Sequence, residues 1–378
     1  MKVPLFKTYW NQEDIESVKA VIERGTYWAT GPEIEEFEKE IAEFVGAKYC
    51  LAFNSGTSAL HTLLLAHDVK EKEVIIPSFT FIATANAVVL AGGIPVFAET
   101  EAETYGLDAE DVESRITEKT AAILNLDFGG FPARDHEKLR EIADRHNILY
   151  IGDSAESLGS KTKGKLLGSI ADSTIFSFCQ NKVVSTGEGG VLITNDESVY
   201  EKSKLIRSHG RVELAEDYFS STEDNDYIQI GYNYRMPTMC AALGLSQMKK
   251  ISENIKMRRS NADFLNEGLG KIEQVKTPTL IEGDFQVYQM YTIQLPNQET
   301  RDALQSHLTE QGISTKVYFN PVHLKTVYKN MGCSEGDLPK TETLSGKVLT
   351  LPMHPSLTEA EMEYIINSVE DFFKNVEA

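Results

Sequence analysis

The chain reads as an α/β protein. A large domain with a mainly parallel sheet covered by helices is followed by a smaller C-terminal α+β domain. Three observations predict this. Short apolar runs alternate with amphipathic helical stretches through the first half of the chain, which implies parallel strands joined by crossover helices. The strand-like runs end in small or acidic residues, Asn54-Ser55-Gly56-Thr57, Asp127 and Asp153, as in open sheets whose ligand lies beyond the carboxyl ends of the strands. From about residue 270 the character changes to half-buried strands and amphipathic helices. The boundary is placed so that residues 1–250 form the large domain and 251–378 the small one.

In order, Ile15, Val18, Val21 and Ile22 share one face of a helix over 11–24, and Gly25 stops it. Pro32 suits the first turn of the next helix, where its missing N–H costs nothing; Ile34, Phe37, Ile41, Phe44 and Val45 line its apolar face. Strands follow at 49–53, 73–77, 95–98, 121–126 and 148–151, separated by helices to Ala66, from Phe81 to Leu90, from Asp108 to Ile116 and around 136–146. The runs 176–178 and 191–194 are strand-like and flank Lys182. A helical segment reaches His209, and the acidic stretch 213–226 reads as a loop or flap. One long helix is expected from Thr238 to Leu269, its second half a solvated face carrying Lys249, Lys250, Lys256, Arg258 and Arg259. Strands at 288–295 and around 315–319 and helices over 300–310 and 358–376 complete the small domain.

The 378 residues allow a large core, and the 25% charged and 41% apolar fractions are those of a soluble globular protein. The net charge of −20 argues against general affinity for nucleic acid or an anionic membrane, though a local basic pocket for an anionic substrate stays open. Cys50, Cys179, Cys240 and Cys333 are scattered, so neither a zinc site nor a disulfide framework is expected, and no metal. No signal-peptide core and no membrane-length apolar run is found; a cytoplasmic protein is expected.

One stretch concentrates chemistry. Lys182 stands between an apolar run and the turn Thr186-Gly187-Glu188-Gly189-Gly190, the placement wanted for an amine that links to a carbonyl, here pyridoxal phosphate. The alternative is an ordinary solvated turn lysine. Asp153 ends a strand and could face a pyridine nitrogen, or serve as a turn aspartate. Gly56 and Thr57, at a strand-to-helix turn, and Ser177 could hold a phosphate, or be merely a turn. Phe81 could cover the cofactor ring, or be core.

With these residues in view, the chain resembles the DegT/StrS group of sugar aminotransferases, within the fold type I pyridoxal phosphate enzymes. The likeness runs nearly end to end. It rests on Thr30-Gly31-Pro32, Ser55 to Leu60, Pro77 to Phe81 with Ala83-Thr84, Asp153-Ser154-Ala155-Glu156, Ser177-Phe178, Lys182 with the glycine-rich turn, Gly231 to Met236, and Leu351 to Pro355. The resemblance implies a seven-stranded sheet and pyridoxal 5'-phosphate as cofactor. It makes Lys182 the Schiff-base lysine, Asp153 the partner of the pyridine nitrogen, and Gly56, Thr57 and Ser177 the phosphate cradle. Phe81 becomes the stacking aromatic. Asn233 becomes a residue reaching the phosphate of the neighbouring subunit, and hence implies a homodimer with shared sites. Arg235, Lys316, Tyr318 and His323 fall where the family approaches substrate.

Two departures stand out. Glu156 occupies a position that is often glutamine, close to the cofactor's phenolic oxygen, where a carboxylate would repel it unless protonated or turned away. The family often has a histidine near Asp127, where Asp127-Phe128-Gly129-Gly130 stands instead. Both fall where substrate preference could be set. The resemblance implies transfer of an amino group from L-glutamate to a nucleotide-linked keto sugar, a 4-keto-6-deoxyhexose, in amino-sugar biosynthesis. The alternatives are a 3-keto sugar, a keto-cyclitol, or a non-catalytic pyridoxal-phosphate-binding regulator.

Overall fold

The computed structural model describes residues 1–212 and 226–376, so all but the last residue of the acidic stretch 213–226 lies outside the described residues. Helices α1 (Gln12–Arg24) and α2 (Pro32–Val45) lead into β1 (Tyr49–Phe53) and α3 (Gly56–Ala66). Then come β2 (Glu73–Pro77), α4 (Ile82–Leu90), β3 (Ile94–Ala98), α5 (Ala109–Ser114), β4 (Thr120–Leu126), α6 (His136–His146) and β5 (Leu149–Asp153). A small hairpin, β6 (Lys161–Thr162) and β7 (Lys165–Leu166), precedes β8 (Ser173–Ser177), β9 (Gly190–Thr194) and α7 (Glu197–Arg207). The C-terminal part holds α8 (Thr238–Met248), α9 (Ile251–Leu269), β10 (Asp284–Phe285), β11 (Tyr291–Gln294), α10 (Gln298–Glu310), α11 (Thr326–Lys329), α12 (Pro339–Lys347), β12 (Val348–Leu351) and α13 (Glu359–Val376).

The local signals act as their chemistry requires. Asn11 and Asp14 form a reciprocal capping box on α1, and Gly25 ends it in the left-handed conformation (φ 74°) that costs glycine nothing. Pro32 opens α2. The main sheet has seven strands in the order β1-β9-β8-β5-β4-β2-β3. All are parallel except β9, which runs antiparallel to both neighbours. The connection from β8 to β9 contains no helix, so the chain turns back beside the strand it has just left. One face of the sheet packs on α3, α4 and α7 through Leu60, Leu63, Leu64, Val88 and Ile206. Phe37, Ile41, Phe176, Phe178 and Ile255 pack on the other side, joining α2 and α9 to the sheet. A separate core of Leu265, Tyr291, Ile293, Leu304, Leu308, Leu349, Ile365 and Val369 holds the C-terminal elements around the β11–β12 pair.

Three expectations are corrected. The long helix 238–269 is two helices, α8 and α9, broken at Lys249–Lys250. Lys250 is buried rather than solvated: its Nζ reaches Asp14 at 2.6 Å and Asn11 at 2.8 Å, drawing the junction onto the N-terminus of α1. Arg258 is likewise buried, donating to the carbonyls of Tyr288, Gln289 and Met353, so the expected solvated face is in part an anchoring one. No strand forms over 315–319; Lys316 makes one bridge to Thr350 at the edge of the β11–β12 pair. Among the described residues no helix is long and apolar enough to cross a membrane, and no cluster of metal-ligating side chains occurs.

Candidate active site

The carboxyl ends of β1, β2, β4, β5 and β8 converge at one edge of the sheet. Register places Gly190, the first residue of β9, opposite both Phe53 and Ser177. The start of α3 is thereby brought against the end of β8. A Cβ added at Gly56 would lie 3.0 Å from Ser177 Cβ, and one at Gly190 would lie 2.5 Å from Gly56 N. Ser55 caps α3 by accepting the Ser58 N–H at 3.0 Å. The N–H groups of Gly56 and Thr57, in the first turn, have no acceptor within the helix, an arrangement that suits an anion. Ser177 lies against this turn.

Asp153 is 5% exposed. Thr84 donates to its Oδ2 at 2.8 Å and the Ala155 N–H approaches Oδ1 at 3.3 Å. Burial pushes its carboxyl up to about 6, aided by the nearby Glu156 charge and opposed by these hydrogen bonds. Thr84 is held in turn by Thr80 at 2.8 Å. Thr84 was not singled out as a site residue, yet its signal was present: it stands one helical turn beyond Thr80, inside a motif already noted.

Lys182 lies in the β8–β9 loop, which is fastened residue by residue. Thr8 donates to Gln180 O (2.9 Å), Gln289 to Asn181 O (3.0 Å) and Asn254 to Val183 O (2.6 Å). These three anchors come from the N-terminal segment, the residues before β11, and α9. No short-range pattern could have revealed them. Lys182 Nζ lies 3.0 Å from Glu156 Oε1, while Glu156 Oε2 accepts the Gly129 N–H at 2.8 Å. The Glu156 carboxylate is therefore charge-compensated by the lysine and one backbone donor. Tyr318 is half-buried; burial, with the charges of Glu156 and Cys179, raises its phenol.

Asp127 does not face a substrate. It is fully buried and accepts from Ser154 Oγ (2.5 Å), His136 Nε2 (2.6 Å) and Ala133 N (3.0 Å), while Tyr150 meets the other ring nitrogen of His136 at 2.6 Å. In the stretch 127–130, Asp127 is thus part of the packing, while Gly129 reaches Glu156 in the site. Burial lowers the His136 imidazole, but the adjacent Asp127 charge outweighs this and raises it.

The other expected residues separate into groups. Phe81 caps α4 with 60% of its surface exposed, its ring centroid 6.4 Å from that of Phe319. Asn233 presents its side chain to solvent, and its carbonyl accepts from Asn54 Nδ2 at 3.3 Å. Arg235 donates to Ser208 Oγ at 3.0 Å. Lys316 is exposed with Nζ 4.8 Å from the centre of the Tyr318 ring. His323 is 1% exposed and engaged at both nitrogens, by Ser78 and Glu342, so the structure does not bring it to an open substrate face.

This set fits pyridoxal phosphate. The two glycines leave a cradle that any Cβ would fill, at a helix N-terminus suited to a phosphate. Asp153 is a buried carboxylate that no cation hydrogen-bonds, an arrangement a protonated pyridine would relieve. Lys182 stands within reach of the same strand ends, and Phe81 offers an uncovered ring face.

Comparison with known proteins agrees. The model of the DegT/DnrJ/EryC1/StrS aminotransferase family matches residues 9–370. The chain is 33% identical over 374 residues to GDP-perosamine synthase from Escherichia coli O157:H7, covering 99% of each chain. It is 30% identical over 371 residues to UDP-4-amino-4,6-dideoxy-N-acetyl-beta-L-altrosamine transaminase from Campylobacter jejuni, covering 97% of this chain and 96% of that one. The PLP form of Spr1654 from Streptococcus pneumoniae superposes with a TM-score of 0.93 at 26% identity, over the whole of both chains. The chain belongs to the DegT/DnrJ/EryC1/StrS aminotransferase family, and its site is built for pyridoxal phosphate.

Proposed function

We propose that this enzyme moves an amino group from L-glutamate to a nucleotide-linked keto sugar, a 4-keto-6-deoxyhexose. The observation that carries the reading is the joint placement of Lys182, Asp153 and the α3 N-terminus at one sheet edge. Two relatives matched over nearly their full length, a GDP-perosamine synthase and a UDP-4-amino-4,6-dideoxy-N-acetyl-beta-L-altrosamine transaminase, support the substrate class.

Pyridoxal phosphate, when bound, supplies the electron sink that lets an amino acid lose its Cα proton and give up its nitrogen. The rest is done by this chain. Gly56 and Thr57 N–H groups and Ser177 would bind the phosphate. Asp153, a buried carboxylate to which no cation is hydrogen-bonded, would hold a proton at the pyridine nitrogen. Lys182 Nζ takes up and returns the proton that moves in each half-reaction, and Glu156 holds that amine in place when it is free. Gly129 keeps Glu156 aimed. Asn233, exposed beside the phosphate turn, is read as reaching the site of a second copy, which makes the working unit a homodimer.

The test is direct. The yellow protein loses its visible absorbance on addition of L-glutamate and then aminates a member of a panel of nucleotide-linked 3-keto and 4-keto sugars. Lys182→Ala lowers turnover by about 10²–10⁴. Colour without bleaching by any amino donor would replace this reading with a binding-only protein, and reaction with a keto-cyclitol alone would remove the sugar.

A further inference from the structure

Resting on the aminotransferase reading, we propose that Ser78, His323 and Glu342 form a hydrogen-bonded latch that sets the pose of the Phe81 turn. His323 is then a positioning residue that acts through the ring-facing side of the site, not a group that touches the sugar.

The three residues come from distant parts of the chain: the turn after β2, the segment before α11, and the first turn of α12. With a neutral imidazole, their protons have one consistent arrangement. The Glu342 carboxylate accepts N–H bonds from Gly336 (2.9 Å) and Leu338 (3.3 Å) and lies 3.0 Å from His323 Nε2. As an acceptor it requires the proton on Nε2. Nδ1 then carries a lone pair and accepts from Ser78 Oγ at 2.6 Å. Ser78 Oγ in turn accepts the His323 backbone N–H at 3.0 Å, and Val322 N–H donates to Ser78 O at 2.8 Å. Each of these groups has a partner, and the tautomer of His323 is set by Glu342.

The Ser–His–Glu order invites comparison with a nucleophile and its base. Ser78 has no exposed surface, so it offers no nucleophile to a substrate. What the latch controls is the turn that begins at Ser78. Phe79 is buried against Tyr105, Phe128 and Phe319. Thr80 meets Thr84, which donates to Asp153. Phe81 lies between the His323 arm and the Asp153 arm, its own ring largely uncovered. The segment that supplies His323 also supplies Lys316 and Tyr318, so the same latch ties the ring-facing turn to the substrate-side residues.

The test uses the holoenzyme and Ser78→Ala, His323→Asn, Glu342→Ala and Glu342→Gln. Ser78→Ala, His323→Asn and Glu342→Ala are expected to lower kcat by about ten- to a hundredfold while the KM for the keto sugar stays within about twofold. The double variant Ser78→Ala/Glu342→Ala falls little further, because the two act as one unit. Visible circular dichroism of the bound cofactor changes in amplitude at unchanged cofactor content. Glu342→Gln, whose amide oxygen still accepts from Nε2, keeps near-native values. In the cofactor-free protein, amide exchange at 78–84 accelerates in Glu342→Ala. Should Ser78→Ala not fold, Glu342→Ala, altered at a partly exposed side chain, carries the same test. The proposal is overturned if His323→Asn raises the KM for the sugar about tenfold or more while the other variants do not. It is equally overturned if the variants lower Tm but leave kcat and dichroism unchanged. A wild-type protein without colour or bleaching would instead remove the aminotransferase reading beneath it.

Discussion

Asp153 carries an electrostatic cost that its partner is meant to remove. Its carboxyl stands at about 6 in the folded chain against 3.8 for an unperturbed aspartate. A group raised on folding contributes stability that is complete below pH 3.8 and lost as pH rises through 6. Above pH 6 the cofactor-free protein therefore bears a buried charge costing up to ~3 kcal/mol. Asp153→Asn is expected to raise the melting temperature of the cofactor-free protein at pH 8, with the gain fading toward pH 4, as thermal unfolding at the two pH values would show. The same variant gains less than wild type when pyridoxal phosphate binds. An equal shift at both pH values would mean that charge at Asp153 is not the cause. At this scale much was legible, because Lys182, Asp153, Gly56 and Thr57 are defined by residue type at strand ends. Gly129, Gln289 and Asn254 were not, since each acts through a neighbour that only folding supplies. The same limit explains Asp127, whose burial against His136 no spacing rule reveals.

Among the elements, β9 decides the geometry of the phosphate turn. Gly190 pairs with Phe53 on one side and Ser177 on the other, and its missing side chain lets the start of α3 descend onto the strand. Gly190→Ala drives a methyl group to 2.5 Å from Gly56 N, where backbone must move. It is expected to weaken pyridoxal phosphate binding about tenfold or more, read by equilibrium titration of the cofactor's absorbance or fluorescence, a displacement of this size being worth about 1.4 kcal/mol or more. Unchanged affinity would show that the turn is not the phosphate site. The break between α8 and α9 belongs to this scale too. Helical periodicity runs through Lys249–Lys250, so sequence reads one helix, but the pull of Asp14 and Asn11 on Lys250 outweighs continuity.

Across the whole molecule, the two cores are pinned by buried polar groups at the junction near α9. Arg258 is held by three carbonyls and by Asn254, and burial lowers its guanidinium to about 10. Near it, His354 is 1% exposed, and neither ring nitrogen has a hydrogen-bond partner among the described residues. Burial, reinforced by the charges of Arg258 and Lys7 and opposed by Glu361, lowers its imidazole to about 4 from 6.5. A depressed group contributes stability that is full above pH 6.5 and lost as pH falls toward 4, here roughly 3 kcal/mol. Urea unfolding at pH 7.5 and pH 5 is expected to show part of this loss in the wild type and less of it in His354→Leu. A pH slope identical in the two proteins would assign the acid sensitivity elsewhere.

By itself, the sequence determined the α/β class, the alternation of strands and helices, and the residue types of the reaction. These depend on local periodicity and on which side chains stand at strand ends. Only the tertiary structure decided the strand order, the reversal of β9, the anchoring of the Lys182 loop from three distant segments, and the removal of His323 from the open face into a latch with Ser78 and Glu342. Each of those rests on contacts between residues far apart in the chain. Such contacts leave no periodic trace, because their energy is gained only when burial has brought the partners together.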